Sequence, residues 1–366
     1  MTQTPRRGEE PAEEPTSILD DQDETSTPRR ADDAKTRSRG RKVMTVFFIT
    51  LLAVLVAGGG VAFYYLNRVS NAIDHINRNP TLMPRAETST LPDGTVVTRP
   101  PTPKSSAKRQ PMTFVLMGSD SRGFDQGRSD SLMVAYLSGD RQKAYLVSFP
   151  RDMWVSIPGH GKAKINAAYA WGGPVLTIQT LEQMTGVRMD HAAVIDFEGF
   201  IKLTDVLGGV TVYNEHASSS NGFSFPQGEI TIRGEQALVY VRERYNLPNG
   251  DLDRAKRQRA VVQAIMGKVL TTGTIANPSK FGATVDTFAE CMTVDDGLSK
   301  NVITSTAASL RLTGSDDIRS MQAPISGFGT SADGQSIDIV DEAGLAELSE
   351  AMKTDTMEAY YLKHKK

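Results

Sequence analysis

The rhythm of apolar and polar positions changes several times along the chain, and each change marks a segment. Residues 1–42 carry no aromatic side chain and are rich in Glu, Asp, Pro, Thr and Arg. Such a stretch cannot bury enough apolar surface to offset its ordering entropy, so a disordered tail is expected, with Thr16 and Thr25 as candidate phosphorylation positions. Residues 43–66 (VMTVFFITLLAVLVAGGGVAFYYL) hold no charge. As a helix this run reaches roughly 36 Å, enough to cross a hydrocarbon core of about 30 Å. It is too long for a signal-peptide core and no small-x-small cleavage site follows it, which predicts a retained signal-anchor. Tyr64 and Tyr65 stand where an interfacial aromatic belt belongs, and Lys35, Arg37, Arg39, Arg41 and Lys42 precede the run. The positive-inside rule then places the tail in the cytoplasm and everything beyond about residue 67 outside. Residues 67–110 contain Pro80, Pro84, Pro92, Pro100, Pro101 and Pro103. A short helix over 69–76 followed by a stiff, partly extended stalk is expected there.

From Met112 the pattern is globular. MTFVLMG (112–118) reads as a buried strand, and SLMVAYLS (131–138) and KAYLVSFP (143–150) as two more, joined by a hairpin turn at Gly139-Asp140. Helical spacing covers 165–186. AAVIDF (192–197) reads as a strand, FEGFIKLTDVLGG (197–209) as a helix stopped by glycines, and VTVY (210–213) as a strand. Residues 214–233 read as an irregular excursion, with helices opening near Gly234 and Asp253. Beyond 275 the signals thin to helices near 297–311 and 342–354. Alternating strand and helix patterns predict one α/β or mixed α+β layered domain over 111–355, with 356–366 as a C-terminal tail whose end, LKHKK (362–366), is basic and solvated.

Composition narrows the chemistry. A formal net charge of −2 gives no basis for nucleic acid as a partner. The single cysteine, Cys291, excludes an intrachain disulfide and a cysteine metal site, and the five histidines lack ligand spacing. Walker A, GxGxxG and GxSxG signatures are missing. What the chain does contain is a series of charged loops at element ends. GSDSR (118–122) puts Asp120 after a strand, and GRSD (127–130) puts Arg128 and Asp130 before the next. Two such aspartates can serve as turn residues or share a hard divalent cation. FPRD (149–152) adds Arg151 and Asp152, and VRER (241–244) adds Arg242 and Arg244. In GDLDRAKRQR (250–259), Arg254, Arg257 and Gln258 stand at i, i+3 and i+4, so one helix face can present all three. Such a face can be solvated and paired with Glu243, Asp251 and Asp253, or can grip phosphate through bidentate hydrogen bonds.

In this order, GSDSR, GRSDSLM, SFPRDMWVSIPG, KINAAYAWGGP, DFEGFIKLTDVLGGV, GEQALVYVRER and GDLDRAKRQR resemble the LytR-CpsA-Psr family over roughly residues 112–275. The resemblance implies an α-β-α sandwich around a twisted mixed central sheet, with an apolar pocket for a polyprenyl chain and arginines at its mouth. It implies Mg²⁺ (or Mn²⁺) on Asp120 and Asp130. Arg151, Arg242, Arg244, Arg254 and Gln258 would surround a pyrophosphate, with Arg128 and Lys164 near it. Arg122, Asn166, Asp251 and Arg257 occupy motif positions of the same site, and Arg259 falls outside it.

The implied activity is a phosphotransferase that moves a glycopolymer from a polyprenyl-pyrophosphate carrier to a peptidoglycan sugar hydroxyl at the outer face of the cell membrane. Asp251 or Asp152 would accept the hydroxyl proton. A pyrophosphate hydrolase on the same lipid-linked glycan, or a membrane-anchored regulator that binds it without turnover, fits the same residues.

Overall fold

The computed structural model describes residues 64–103, 105–119, 129–269, 273 and 276–365, with the backbone alone at Ser119, Ser129, Asp130, Asp196 and Phe197. Seven strands form one sheet: β1 (Asn77–Arg78), β2 (Met112–Ser119), β3 (Ser129–Leu137), β4 (Ala144–Ser148), β5 (His191–Asp196), β6 (Met292–Val294) and β7 (Ile318–Gln322). They lie side by side in the order β1, β6, β5, β2, β3, β4, β7. The sheet is mixed: β2 pairs antiparallel with β3 but parallel with β5, and β7 runs parallel to β4.

Side chains alternate across this sheet, and both faces are covered. Val115 and Met117 of β2 and Leu132, Val134 and Tyr136 of β3 bury one face. Packed against that face are α2 (Asn166–Thr185), α8 (Glu342–Lys353) and α9 (Met357–His364). Toward the opposite face point Phe114, Leu116, Met133 and Ala135, under α3 (Phe197–Val206), α4 (Gly234–Arg242), α5 (Asp251–Val269) and α6 (Pro278–Cys291). Helix α1 covers residues 64–75, and α7 covers Lys300–Ser309. The expected α-β-α sandwich about a mixed central sheet is therefore present. Burial on both faces also explains why these strands read as continuous apolar runs.

Local sequence sets the ends of several elements. Helix α2 stops at Gly186, whose φ of 60° is left-handed and whose N–H reaches Glu182 O. Within α2, Gly172 and Gly173 depart from helical geometry just ahead of Pro174, so the WGGP stretch is a kink. Asn277 caps α6 by accepting from Lys280 N at 3.0 Å, with Pro278 at the first helical position.

Three expectations are corrected. Residues 67–110 are not a free stalk. Leu82 and Met83 join the main core, β1 extends the sheet edge, and Arg99 makes a buried ion pair with Glu182 at 2.6 Å. Residues 214–233 are not irregular. Val210–Asn214 pairs with Gly228–Ile232 in a ribbon separate from the central sheet, and Ser218–Ser220 pairs with Phe223–Phe225. Residues 357–361 belong to the fold and are not tail, because α9 buries Met357 and Tyr360 in the core, while 362–365 are exposed as expected.

Of the uncharged run 43–66, all but residues 64–66 lies outside the described residues, as does the 1–42 tail. Among the described residues no helix is long and apolar enough to cross a membrane. Helix α1 rests on α6: the Tyr65 and Phe281 rings lie 4.8 Å apart, Tyr64 Oη donates to Pro278 O at 3.2 Å, and Arg68 pairs with Asp286.

Candidate active site

Between the sheet and the layer formed by α3 to α6 lies a cavity of about 600 Å³. Its floor is Phe114, Leu116 and Gly118 of β2, Ser131, Met133 and Ala135 of β3, and Ala193 and Ile195 of β5. Phe200, Leu203, Leu238 and Phe288 close it from the helices. At one end the lining turns cationic, with Arg151, Arg242, Arg244 and Arg254 gathered there beside Gln258 and Tyr245. Arg242 and Tyr245 are exposed, so this end meets solvent.

Helix α5 supplies both halves of the cavity from one stripe. Arg254, Gln258, Val262, Ile265 and Met266 all line it, at i, i+4, i+8, i+11 and i+12. The 254–266 stretch runs about 18 Å along the helix axis, passing from guanidinium through amide to aliphatic side chains.

Carboxylates organise the cationic end. Asp251 accepts from Arg254 and lies 3.7 Å from Arg151 Nε, and Asp152 pairs with Lys164 at 2.8 Å. Burial pushes the Asp251 carboxyl above its ordinary range; Arg254 pulls it back, and Asp152 pushes it further up. Arg254 is 5% exposed, so its charge acts in a weakly screened setting. Arg244 reaches the Tyr245 hydroxyl at 2.5 Å, and that bond raises the Arg244 pKa further. Asn166 opens α2, where its N–H meets Arg151 O at 3.3 Å and ties that helix to the FPRD loop.

The sequence-derived candidates thus divide. Arg151, Arg242, Arg244, Arg254 and Gln258 converge on the cavity, with Asp251, Lys164 and Asn166 adjoining them. Arg257 does not join them. It is buried behind α5, 4.3 Å from the Tyr240 ring, and donates to Asn214 Oδ1 at 2.8 Å and His216 O at 2.9 Å. Its position at i+3 from Arg254 turns it toward the 210–232 ribbon, and burial lowers its pKa. Arg259 is also outside the cavity, donating to Ser148 Oγ between α5 and β4, as expected. Asp120, Arg122 and Arg128 lie outside the described residues, as does the Asp130 side chain.

For Asp130 the backbone is described. Gly118 pairs with Ser131 and Ser119 with Ser129, so Asp130 is the extra residue of an irregularity in the β2–β3 pair. Both its neighbour Ser131 and the opposite Gly118 line the cavity. Among the described residues no group of three or more His, Cys, Asp or Glu could hold a metal. Carboxylate oxygens in general are hard donors of the kind Mg²⁺ and Mn²⁺ take, alongside waters and phosphate oxygens.

Residues 84–354 match the LytR_cpsA_psr family. The chain belongs to the LytR-CpsA-Psr family. It is 34% identical over 248 residues to the Bacillus subtilis polyisoprenyl-teichoic acid–peptidoglycan teichoic acid transferase TagU, covering 67% of this chain and 76% of that protein. With the Enterococcus faecalis protein of the same name it shares 31% over 328 residues, covering 86% and 98%. Among solved structures, TagT bound to LI-WTA aligns with a TM-score of 0.53 at 27% identity, over 68% of this chain and 91% of that one. B. subtilis TagV aligns with a TM-score of 0.56 at 26% identity, over 67% and 97%.

Set against this LytR-CpsA-Psr fold, sequence reasoning missed two residues at the cationic end. Tyr245 follows the R-x-R motif directly, and an aromatic side chain beside arginines was the available signal. Asp338, on the Ser336–Val340 strand, hydrogen-bonds through its N–H to Asp152 O at 2.9 Å. It lies in the stretch beyond 275, where no motif pointed to it.

Proposed function

We propose that this chain is a phosphotransferase that moves a glycopolymer from a polyprenyl-pyrophosphate carrier to a peptidoglycan sugar hydroxyl, outside the cytoplasmic membrane. The observation that carries this reading is the α5 stripe, charged at one end and apolar along the rest, matched by a cavity with the same polarity. A ligand that satisfies both ends is an amphiphile with an anionic head and a hydrocarbon tail. Burying such a tail is worth about 25 cal/mol per Å² of apolar area. The guanidinium forks hold pyrophosphate oxygens through charge-assisted bonds. The names of TagU and of TagT bound to LI-WTA, carried to this chain, support a wall glycopolymer as the transferred group and peptidoglycan as acceptor.

In this mechanism the arginines bind the pyrophosphate and stabilise charge that grows on its nonbridging and bridging oxygens. The acceptor oxygen forms a bond to the phosphorus nearest the glycan as the bond to the departing polyprenyl phosphate breaks. Asp251, next to Arg151 and Arg254, takes the hydroxyl proton. Asp120 and Asp130 would hold a divalent cation, which supplies further charge neutralisation on the phosphate oxygens. The membrane setting rests on the 43–66 run and its flanking basic residues.

The test is transfer itself: full-length chain, a synthetic polyprenyl-pyrophosphoryl oligosaccharide, a peptidoglycan oligomer and Mg²⁺. Glycan joined to peptidoglycan through a phosphodiester is the expected product. Polyprenyl phosphate released with glycan phosphate free in solution would make the chain a hydrolase; tight donor binding with no product would make it a regulator.

A further inference from the structure

The hairpin Ile325–Thr330/Ser336–Val340 brings a carboxylate to the active site from far along the chain. Asp338 forms a parallel bridge with Met153, next to Asp152 of the FPRD loop, and its N–H donates to Asp152 O. It is 5% exposed, and its Oδ2 accepts no hydrogen bond among the described residues. Buried carboxylates elsewhere in this fold collect donors. Asp295 takes bonds from Ala192 N, Leu298 N and the His191 ring, and Glu182 from Arg99 and Met189 N. A buried carboxylate lacking such donors weakens the fold. Asp338 Oδ2 thus stands apart from these carboxylates, and the charges that act on its carboxyl are those of the site: Asp152, Asp251 and Lys164.

Those neighbours define what it can do. Asp251, held between Arg254 and Arg151, would be a poor proton acceptor if only the guanidiniums acted on it. Further negative charge in the same poorly screened region offsets them and raises the proton affinity of the whole cluster. We propose that Asp338 is a positioning residue of the transfer site, a further buried carboxylate that keeps Asp251 able to take the acceptor hydroxyl's proton. The proposal rests on the transferase reading above. In the step it serves, the acceptor O–P bond forms, the bridging P–O bond breaks with its electron pair leaving on polyprenyl phosphate, and the proton passes to the Asp251 carboxylate. Burial pushes the Asp338 carboxyl itself up to about 6, with Asp152 and then Asp251 adding to the rise.

Full-length wild type and Asp338→Asn are compared for donor affinity and for kcat between pH 4.5 and 9. Donor affinity within about twofold of wild type is expected for the variant, with kcat lowered on the order of tenfold and the acid limb of its pH profile moved to lower pH. An unmoved acid limb overturns the proposal, even if kcat falls, since that pattern belongs to a structural residue. Wild type that binds donor but transfers nothing at any pH overturns the transferase reading, and this proposal with it. Should Asp338→Asn not fold, carboxyl NMR on the intact chain and on Asp251→Asn decides. A resonance of Asp338 that titrates near 6 and moves down in Asp251→Asn supports the coupling, and one indifferent to the substitution overturns it.

Discussion

Arg254 concentrates the chemistry of the site in one side chain: nearly buried, paired with Asp251, and facing the cavity beside Gln258. Its replacement by alanine removes a preorganised cation from a weakly screened region, which lowers transfer on the order of 10²–10³-fold, as steady-state turnover will show. Three residues along, Arg257 behaves oppositely. It ties α5 to the 210–232 ribbon through Asn214, His216 and Ser218, so Arg257→Ala leaves buried acceptors unpaired. The expected result is a marked loss of thermal stability with donor affinity retained. A stable Arg257→Ala chain with lost donor binding would return that residue to the site. Asp338 makes a pH prediction of its own. Its carboxyl titrates about 6 in the fold against an ordinary 3.8, so between those values the folded chain holds a proton that the unfolded chain has given up. Its contribution to stability therefore falls as pH rises through that window and is constant above it, by at most about 3 kcal/mol. Melting temperatures of Asp338→Asn should gain on wild type from pH 4 to 6.5 and run parallel to it beyond.

At the scale of elements, what could be read in the sequence depended on how local the cause was. The strands β2, β3, β4 and β5 and helices α2 to α5 follow from apolar periodicity and glycine stops, and all were legible. Helix α9 was not. Its eight residues end in Lys363 and His364 and carry little periodicity, and only the burial of Met357 and Tyr360 against the sheet makes it structural. Met357→Ala should cost about 2–5 kcal/mol in a chemical-denaturation measurement, where a solvated tail would cost nothing. The cavity lining was invisible for a related reason. Val262, Ile265 and Met266 sit at helical spacing like any core residues, and nothing local shows that the sheet stands off from them. Val262→Trp fills that space. Calorimetry should show affinity for the long-chain donor falling more than tenfold while a tail-less pyrophosphoryl sugar binds as before.

Taken whole, the molecule puts one charged rim around an apolar interior, and the rim is assembled from the ends of elements scattered over the fold. Arg151 follows β4, Arg242 and Arg244 end α4, and Arg254 begins α5. Their convergence was legible through the family resemblance, since each stands in one of its motifs; residue types alone left a solvated basic face open. Asp338 was not, because a lone aspartate in a short strand has no such signature, and only the bridge to Met153 brings it to the rim. The 67–110 segment was misread for its prolines, which stiffen a chain whether or not it packs. The most direct test of the account is to locate the donor's tail. Full-length chain is photolysed with a polyprenyl-pyrophosphoryl oligosaccharide carrying a diazirine near the end of the prenyl chain, and the labelled residues are mapped by mass spectrometry. The account predicts labels on Ile265, Met266, Phe288 and Met292, lost in Val262→Trp. Labels on α2, α8 or α9, or a pattern unchanged by Val262→Trp, would contradict it.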